Sequence, residues 1–358
     1  MLSSLKKIKN VIVMMTDHHL GNLVVSLPAI NALKKFYKEK KFCLVVNSDY
    51  KEIAETIEGV DNLILYPRRQ FKECSAIKKL MMYLKLIKQL RSMSPDVIID
   101  LEGRIVSSTL AVLAGAPVRI GSSSAVRPYL YNLKVDITPE RHRLYKYLEI
   151  ASAAGAEIDS MFYQLKATEA KRAALNNKLS AIGIKTDRPI ICIHPGAGRI
   201  FRQWTSKGFA EISDWLFSKG FQVVFVGGNG DLNKINEILS LSKHHLYNLG
   251  GKLSFGELIA LLGISSLYIG NDTGPLHIAS AMGTLPVVGL FFRPGADVAW
   301  YPFTKGAVVL KGDAGCRKCK GNKCQYDLEC TKRLSPEEVK AAISGLITTS
   351  EEVYGKEI

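Results

Sequence analysis

Asp272, Thr273, Gly274 and His277 fall within residues 268–277, where an apolar strand pattern breaks into a polar turn and then into the small-residue helical stretch of 278–283. At such strand-to-helix junctions of open α/β sheets, backbone N–H groups and the helix dipole favour anions. Asp272 suits ribose or acceptor hydroxyls, Thr273 and Gly274 can turn N–H groups toward a diphosphate, and His277 lies one turn inside the helix. Together they read as a nucleotide-sugar pocket. The plainer reading, a turn and N-cap beside a core histidine, uses the same residues structurally.

A second turn, His194-Pro-Gly-Ala-Gly, also follows an apolar run, and Gly196 and Gly198 permit close approach of backbone to a phosphate. Arg199 and Arg202 place positive charge beside it. The loop of 226–231 resembles a dinucleotide fingerprint only loosely, because the third glycine is replaced at Asn233, which disfavours NAD. That loop is expected to flank the adenine or ribose, with Asp231 as a candidate there.

The elements that position these residues repeat one theme. Short β-branched runs alternate with amphipathic helical stretches, which predicts parallel sheets with helices on both faces. In the first half, strands are expected at 11–15, 42–47, 62–66 and 97–100, and helices at 22–37, 50–57, 72–92, 107–114 and 141–154. The segment 167–182, closed by Gly183, reads as a helix connecting two domains. Further strands are expected at 190–194, 222–226, 245–249, 266–269, 286–291 and 308–310, with a helix at 205–219 between the first two. Ser335-Pro-Glu-Glu signals a last helix into 339–347. With 358 residues, 47% of them hydrophobic, two cores are expected, in domains of 1–165 and 190–334 joined by 166–189 and followed by a helix in 335–358.

The formal charge of +15 implies acidic partners, and much of the excess lies in the first third, from Lys34 to Arg91. The basic residues are not interleaved with stacking aromatics and no nucleic-acid-binding motif appears, so an anionic membrane surface or phosphorylated glycolipid fits as well as nucleic acid. The lysine-bearing segment 1–10 precedes an apolar run too short for a signal or membrane span, and a cytoplasmic protein is expected.

These residues, taken in order, resemble the ADP-heptose:lipopolysaccharide heptosyltransferases, glycosyltransferase family 9, which have the GT-B fold. The matching stretches are 19–30, 95–103, 119–121, 194–198, Gln203-Trp204, 270–277 and 286–289. The resemblance implies two Rossmann-like doubly wound parallel-sheet domains facing across a cleft. It implies an inverting, metal-independent transfer with ADP-heptose held in the C-terminal domain and an anionic, lipid-linked glycan acceptor in the basic N-terminal one. It further implies lipopolysaccharide biosynthesis at the cytoplasmic face of the inner membrane, peripheral attachment there and no nucleic acid partner. The donor-binding residues it implies are His194, Gly196, Arg202, Asp272, Thr273, Gly274 and His277, to which the loop reading adds Asp231, with Arg202 on the donor phosphate through a planar fork of donors.

On the acceptor side the family has Gly-Asp where this chain has Gly21-Asn22. An amide cannot deprotonate the attacking hydroxyl. Either Asn22 only positions the acceptor, or the base has moved to Asp17, His18 or His19 in the same loop, or to Asp100 or Glu102; Asp17 is the first expectation. Rival readings are a same-fold transferase with another nucleotide sugar, a catalytically reduced relative, and a nucleic-acid-binding protein. No cofactor is expected for catalysis, since no Asp-x-Asp is present to hold a metal with the diphosphate.

Cys43, Cys74 and Cys192 read as small core hydrophobes. Cys316, Cys319, Cys324 and Cys330 cluster in a Gly- and Lys-rich loop, a spacing suited to a structural zinc or iron knuckle, or alternatively to four thiols.

Overall fold

A computed structural model describes residues 8–139, 141–292, 296–316, 324 and 327–354, with backbone alone for 296–297 and 348–354. The chain divides into two compact units, Met1–Tyr163 and Gln164–Ile358.

In the first unit six strands form one parallel sheet: β1 (Asn10–Met15), β2 (Lys41–Asn47), β3 (Asn62–Tyr66), β4 (Val97–Asp100), β5 (Val118–Ser122) and β6 (Leu133–Val135), in the order β3-β2-β1-β4-β5-β6. The residues of β1 from Val11 to Met15 are all buried, as a parallel strand covered on both faces requires. On one face Ile12, Met14, Cys43, Val45 and Ile98 pack against Phe71, Leu86, Leu90, Leu110 and Ala111 of the helices Arg68–Glu73, Ala76–Ser92 and Ile105–Leu113. The helix Leu20–Phe36 packs against Arg143–Ala153, and the Tyr37 hydroxyl donates to the Ala154 carbonyl at 2.8 Å.

The second unit repeats the plan with β7 (Ile190–His194), β8 (Gln222–Phe225), β9 (Tyr247–Asn248), β10 (Ser265–Asn271), β11 (Val287–Phe291) and β12 (Ala307–Lys311), again parallel, ordered β12-β11-β10-β7-β8-β9. Its core joins Ile191, Ile193, Val223, Phe225, Leu267 and Ile269 of the sheet to Trp204, Phe209 and Leu216, and to Val339 and Ile343 of the last helix, Pro336–Tyr354.

Several elements differ from the sequence expectation. The helix read over 72–92 is two helices, because Ser75 turns extended and its hydroxyl accepts from the Lys78 N–H, starting a new helix inside one lysine-rich pattern. The stretch 50–57 holds only a 3₁₀ turn, Ser48–Tyr50, and one helical turn, Lys51–Ala54. Strands β5 and β6, short and rich in polar residues, carry no strong hydrophobic run and escaped the reading. The helix Glu169–Ala181, read as a connector, lies in the second unit: Leu175 and Leu179 are buried and Lys178 donates to Glu257 at 2.8 Å. Cys43 and Cys192 are buried as expected, whereas Cys74 is half-buried.

Candidate active site

Both sheets reverse their direction of build once. From β1 the chain moves outward through β2 and β3, then returns to the other side of β1 at β4; from β7 it moves through β8 and β9 and returns at β10. Loops leaving the carboxyl ends of two such strands part in opposite directions and open a crevice where ligands bind. Each unit places its chemistry-bearing residues at this switch point.

In the second unit, β7 ends at His194 and β10 at Asn271. Asn271 is wholly buried and ties the two loops together: its Nδ2 donates to the Pro195 carbonyl at 2.8 Å, and its Oδ1 accepts from the Trp204 N–H at 3.1 Å. Trp204 is buried completely, and its indole N–H donates to the Leu334 carbonyl at 3.0 Å. The Gln203-Trp204 pair is thus a structural anchor that fixes the loop carrying Arg202.

His194 bridges the loops, with Nδ1 3.1 Å from the Thr273 hydroxyl and Nε2 3.3 Å from Asp231 Oδ2. Asp231 also accepts from the Gly228 N–H at 2.8 Å. Partial burial acts to raise the Asp231 carboxyl, but the His194 and Gly228 contacts outweigh it and hold the group below the usual carboxylate range. The loop of 226–231 is therefore fastened to the strand end through a charged side chain. Arg202, on the 3₁₀ turn Ile200–Arg202, brings Nη1 to 3.8 Å from Asp272 Oδ2, placing a guanidinium and a carboxylate side by side at the end of β10. Thr273 stands at the N-cap position of the helix Gly274–Ser280 without a side-chain capping bond, its hydroxyl donating to the Asn271 carbonyl at 3.2 Å, and His277 is buried in that helix with its ring 5.7 Å from that of Trp300.

Gly196 shows how tightly this pocket is built. A Cβ there would lie 1.9 Å from Asp231 Oδ1. Gly196→Ala is expected to push Asp231 off His194 and Gly228 and to lower stability by about 1–3 kcal/mol, the scale of a lost hydrogen bond to a charged group, which a lower unfolding midpoint would show.

The first unit gathers a denser set of charges. Asp17, just past β1, is buried and accepts from the His19 N–H at 2.8 Å, from Asn22 Nδ2 at 2.7 Å and from Arg104 Nη2 at 3.2 Å, with His19 Nδ1 at 2.9 Å. Burial acts to raise its carboxyl, yet the hydrogen bonds from His19 and the charge of Arg104 win and hold it far below the usual range. An ionised carboxylate with so many donors keeps its charge and binds protons weakly.

Glu102, just past β4, behaves oppositely. Its carboxylate accepts from the Thr16 N–H at 3.2 Å and the Thr16 hydroxyl at 2.5 Å, and Arg104 Nε lies 3.1 Å from Oε1. Burial, aided by the nearby Asp100, pushes Glu102 up to about 7. Asp100 itself is wholly buried and raised by that burial; it accepts from the Tyr131 hydroxyl at 2.6 Å and from the Glu102 and Gly103 N–H groups at 2.9 and 3.0 Å. Gly103 turns with φ of +76°, a conformation that disfavours side chains, and so aims its N–H at Asp100. Arg104 joins Asp17 to Glu102, and Lys146 donates to the Glu102 carbonyl at 3.0 Å.

Residues 83–329, more than half of the chain, match the family model described as glycosyltransferase family 9 (heptosyltransferase). The chain belongs to glycosyltransferase family 9. It is 27% identical over 297 residues to lipopolysaccharide heptosyltransferase 3 of Escherichia coli, covering 80% of this chain and 85% of that protein. Among solved structures it resembles the family 9 glycosyl transferase of Veillonella parvula, at a TM-score of 0.80 and 22% identity, covering 95% of this chain and 97% of that one. It also resembles the E. coli ADP-heptose lps heptosyltransferase II, at a TM-score of 0.78 and 20% identity, covering 96% of this chain and 99% of that one. The two parallel six-stranded sheets and these neighbours establish the GT-B class of α/β fold.

Of the donor residues expected for this family 9 transferase, the structure brings His194, Gly196, Asp231 and Thr273 into contact and sets Arg202 beside Asp272, with Gly274 opening the next helix. His277 sits deeper in that helix. On the acceptor side Asp17, His19 and Asn22 form one hydrogen-bonded group, while Asp100 belongs to the buried Tyr131 contact. Arg104, Tyr131 and Lys146 were missed. Arg104 was legible in principle as the basic residue one turn past a strand-end carboxylate, but nothing in the sequence showed that it would span two acidic loops.

Two groups bear on metals. Asp17, His18 and His19 hold three ligand atoms within 4.8 Å of one another, the one such group among the described residues. The Arg104 guanidinium 3.2 Å from Asp17 opposes a cation there. In the cysteine cluster, Cys319 lies outside the described residues. Cys316 is half-buried and Cys330 buried, and the Leu328 N–H donates to Cys324 Sγ at 3.3 Å. Among the described residues the other three sulfurs do not gather as a ligand set.

Proposed function

We propose that this family 9 protein transfers heptose from ADP-heptose to the inner core of a lipopolysaccharide or a related anionic glycan, with inversion at the anomeric carbon. The observation that carries the reading is the second-unit switch point, where His194, Thr273 and Asp231 are locked together and Arg202 stands beside Asp272. The relatives' names supply the sugar: E. coli lipopolysaccharide heptosyltransferase 3 and ADP-heptose lps heptosyltransferase II.

In this reading the acceptor hydroxyl attacks the anomeric carbon as the bond from that carbon to the β-phosphate oxygen breaks, and ADP leaves. Arg202 and the N–H groups at Thr273 and Gly274 hold the leaving diphosphate, where charge grows during transfer. Asp272 takes sugar or ribose hydroxyls. The proton of the acceptor hydroxyl passes to Glu102, whose carboxyl, raised by burial, matches the demand for a base near neutral pH better than Asp17, which His19 and Arg104 hold well below the usual carboxylate range. Asp17 holds Asn22, His19 and Arg104 in place around it.

The leaving-group charge is met by protein donors in this scheme, so transfer proceeds without a divalent cation. No helix of the described residues is long and apolar enough to cross a membrane. In this reading the acceptor is lipid-linked, and the protein acts at the cytoplasmic face of the inner membrane as a peripheral component.

Calorimetric titration of ADP, GDP, UDP and ADP-heptose, repeated in EDTA, tests the donor assignment. ADP-heptose and ADP are expected to bind, GDP and UDP to bind weakly, and EDTA to leave both binding and turnover unchanged. Failure of the folded protein to bind any nucleotide would remove the transferase reading.

A further inference from the structure

The helix Ala76–Ser92 shows two apolar faces, and the core uses one of them. Leu86 and Leu90 are buried, with Met82, Tyr83 and Ile87 packed beside them on the sheet. On the opposite side Ile77, Leu80, Met81 and Leu84 are exposed to 76%, 59%, 59% and 56%. Their spacing of three and four residues puts them on one stripe. Four large apolar side chains in a row are more than the scattered exposure that ordinary surfaces carry.

The charge around the stripe identifies what it meets. The helix contains Lys78, Lys79, Lys85, Lys88 and Arg91 and no acidic residue. Lys78 and Lys85 border the stripe, and Lys88 and Arg91 continue it toward the helix C-terminus. The preceding helix adds Arg68, Arg69 and Lys72 against the single Glu73. An apolar stripe edged only by cations matches a surface that is apolar inside and anionic outside, where lysine stems lie along the acyl boundary and ammonium groups reach headgroups. A protein partner of ordinary composition would leave these charges unmatched.

We propose that the helix Ala76–Ser92 is the membrane-docking element of this protein, lying in the plane of an anionic lipid surface with Ile77, Leu80, Met81 and Leu84 inserted. The proposal rests on the lipid-linked acceptor reading for its purpose only. Docking would hold the first unit, with its Glu102 and Arg104, at the surface that carries the acceptor.

The test is flotation of the full chain with vesicles of phosphatidylcholine alone and of phosphatidylcholine with phosphatidylglycerol. The protein is expected to float with the anionic vesicles. Joint replacement Ile77→Ser, Leu80→Ser, Met81→Ser and Leu84→Ser should weaken partition by about tenfold or more, given the apolar area withdrawn. Lys78→Gln, Lys79→Gln, Lys85→Gln and Lys88→Gln should weaken it and flatten its salt dependence. The exposed stripe is outside the core, so unfolding midpoint and ADP titration should match the parent in both variants. Vesicle binding unchanged by the serine variant, or absent in the parent, overturns the proposal. So does a serine variant that alters only self-association in sedimentation velocity, since the stripe would then join copies of this chain. Transfer to a soluble acceptor fragment is read alongside, and its failure would strike the transferase reading without touching the vesicle result.

Discussion

Glu102→Gln is expected to lower kcat by about 10²–10⁴-fold, the range a positioned general base supplies, with ADP binding unchanged. The parent's kcat/KM should rise with pH through an acidic limb near the value of about 7 to which burial and the neighbouring Asp100 push Glu102. The sign follows from the chemistry: the base must be deprotonated, so rate is lost as pH falls. In the variant the limb disappears. Asp17→Asn provides the sharper control, because the Asp17 charge contributes to raising Glu102. Its removal should shift the limb to lower pH, an effect that a purely structural loop residue would not produce.

The same residue carries a stability signature. Glu102 is buried, and its folded value of about 7 lies above its ordinary 4.5. Between those values the folded state keeps a proton that the unfolded chain has lost, so Glu102 lowers stability as pH rises through the window, by on the order of 3 kcal/mol at most. Glu102→Gln should therefore gain stability relative to the parent between pH 5 and pH 8, offset in part by weakened bonds to Thr16. Urea unfolding at the two pH values reads the change directly.

Arg202→Ala is expected to cost about 10²–10³-fold in kcat, the scale of losing one preorganised donor to developing charge. Its guanidinium lies 3.8 Å from Asp272 on a turn anchored by the buried Trp204, so truncation leaves the loop in place. Arg202→Lys restores a point charge without the planar fork and should remain about tenfold or more below the parent. ADP affinity falls less than kcat if the contact strengthens as the diphosphate leaves. Equal loss in both would mean that Arg202 binds ground state and transition state alike.

The second unit's cluster was legible because its signals are local. A strand end, a Gly-rich turn and Asn-Asp-Thr-Gly-Pro-x-His occur within short windows, and the fold brings two such windows together at one switch point. The first unit's cluster was legible only as a list of alternatives. Asp17 and Glu102 are 85 residues apart in sequence, and which of them keeps a proton depends in part on the Arg104–Asp17 and Thr16–Glu102 contacts, which form only after β1 and β4 pair. Strands β5 and β6 were lost for a related reason, since their pairing in the sheet, and not their own composition, makes them strands. The split at Ser75 shows the opposite case, a local cap hidden inside a stronger periodic pattern.

The most direct test is turnover itself: ADP-heptose and a lipopolysaccharide inner-core acceptor incubated with the full chain, with ADP release and acceptor mass followed together. One heptose added per ADP released, little or no use of GDP- or UDP-sugars, and near-complete loss in Glu102→Gln are expected. ADP-heptose left intact by a folded protein, or full activity in Glu102→Gln, would contradict the proposed function.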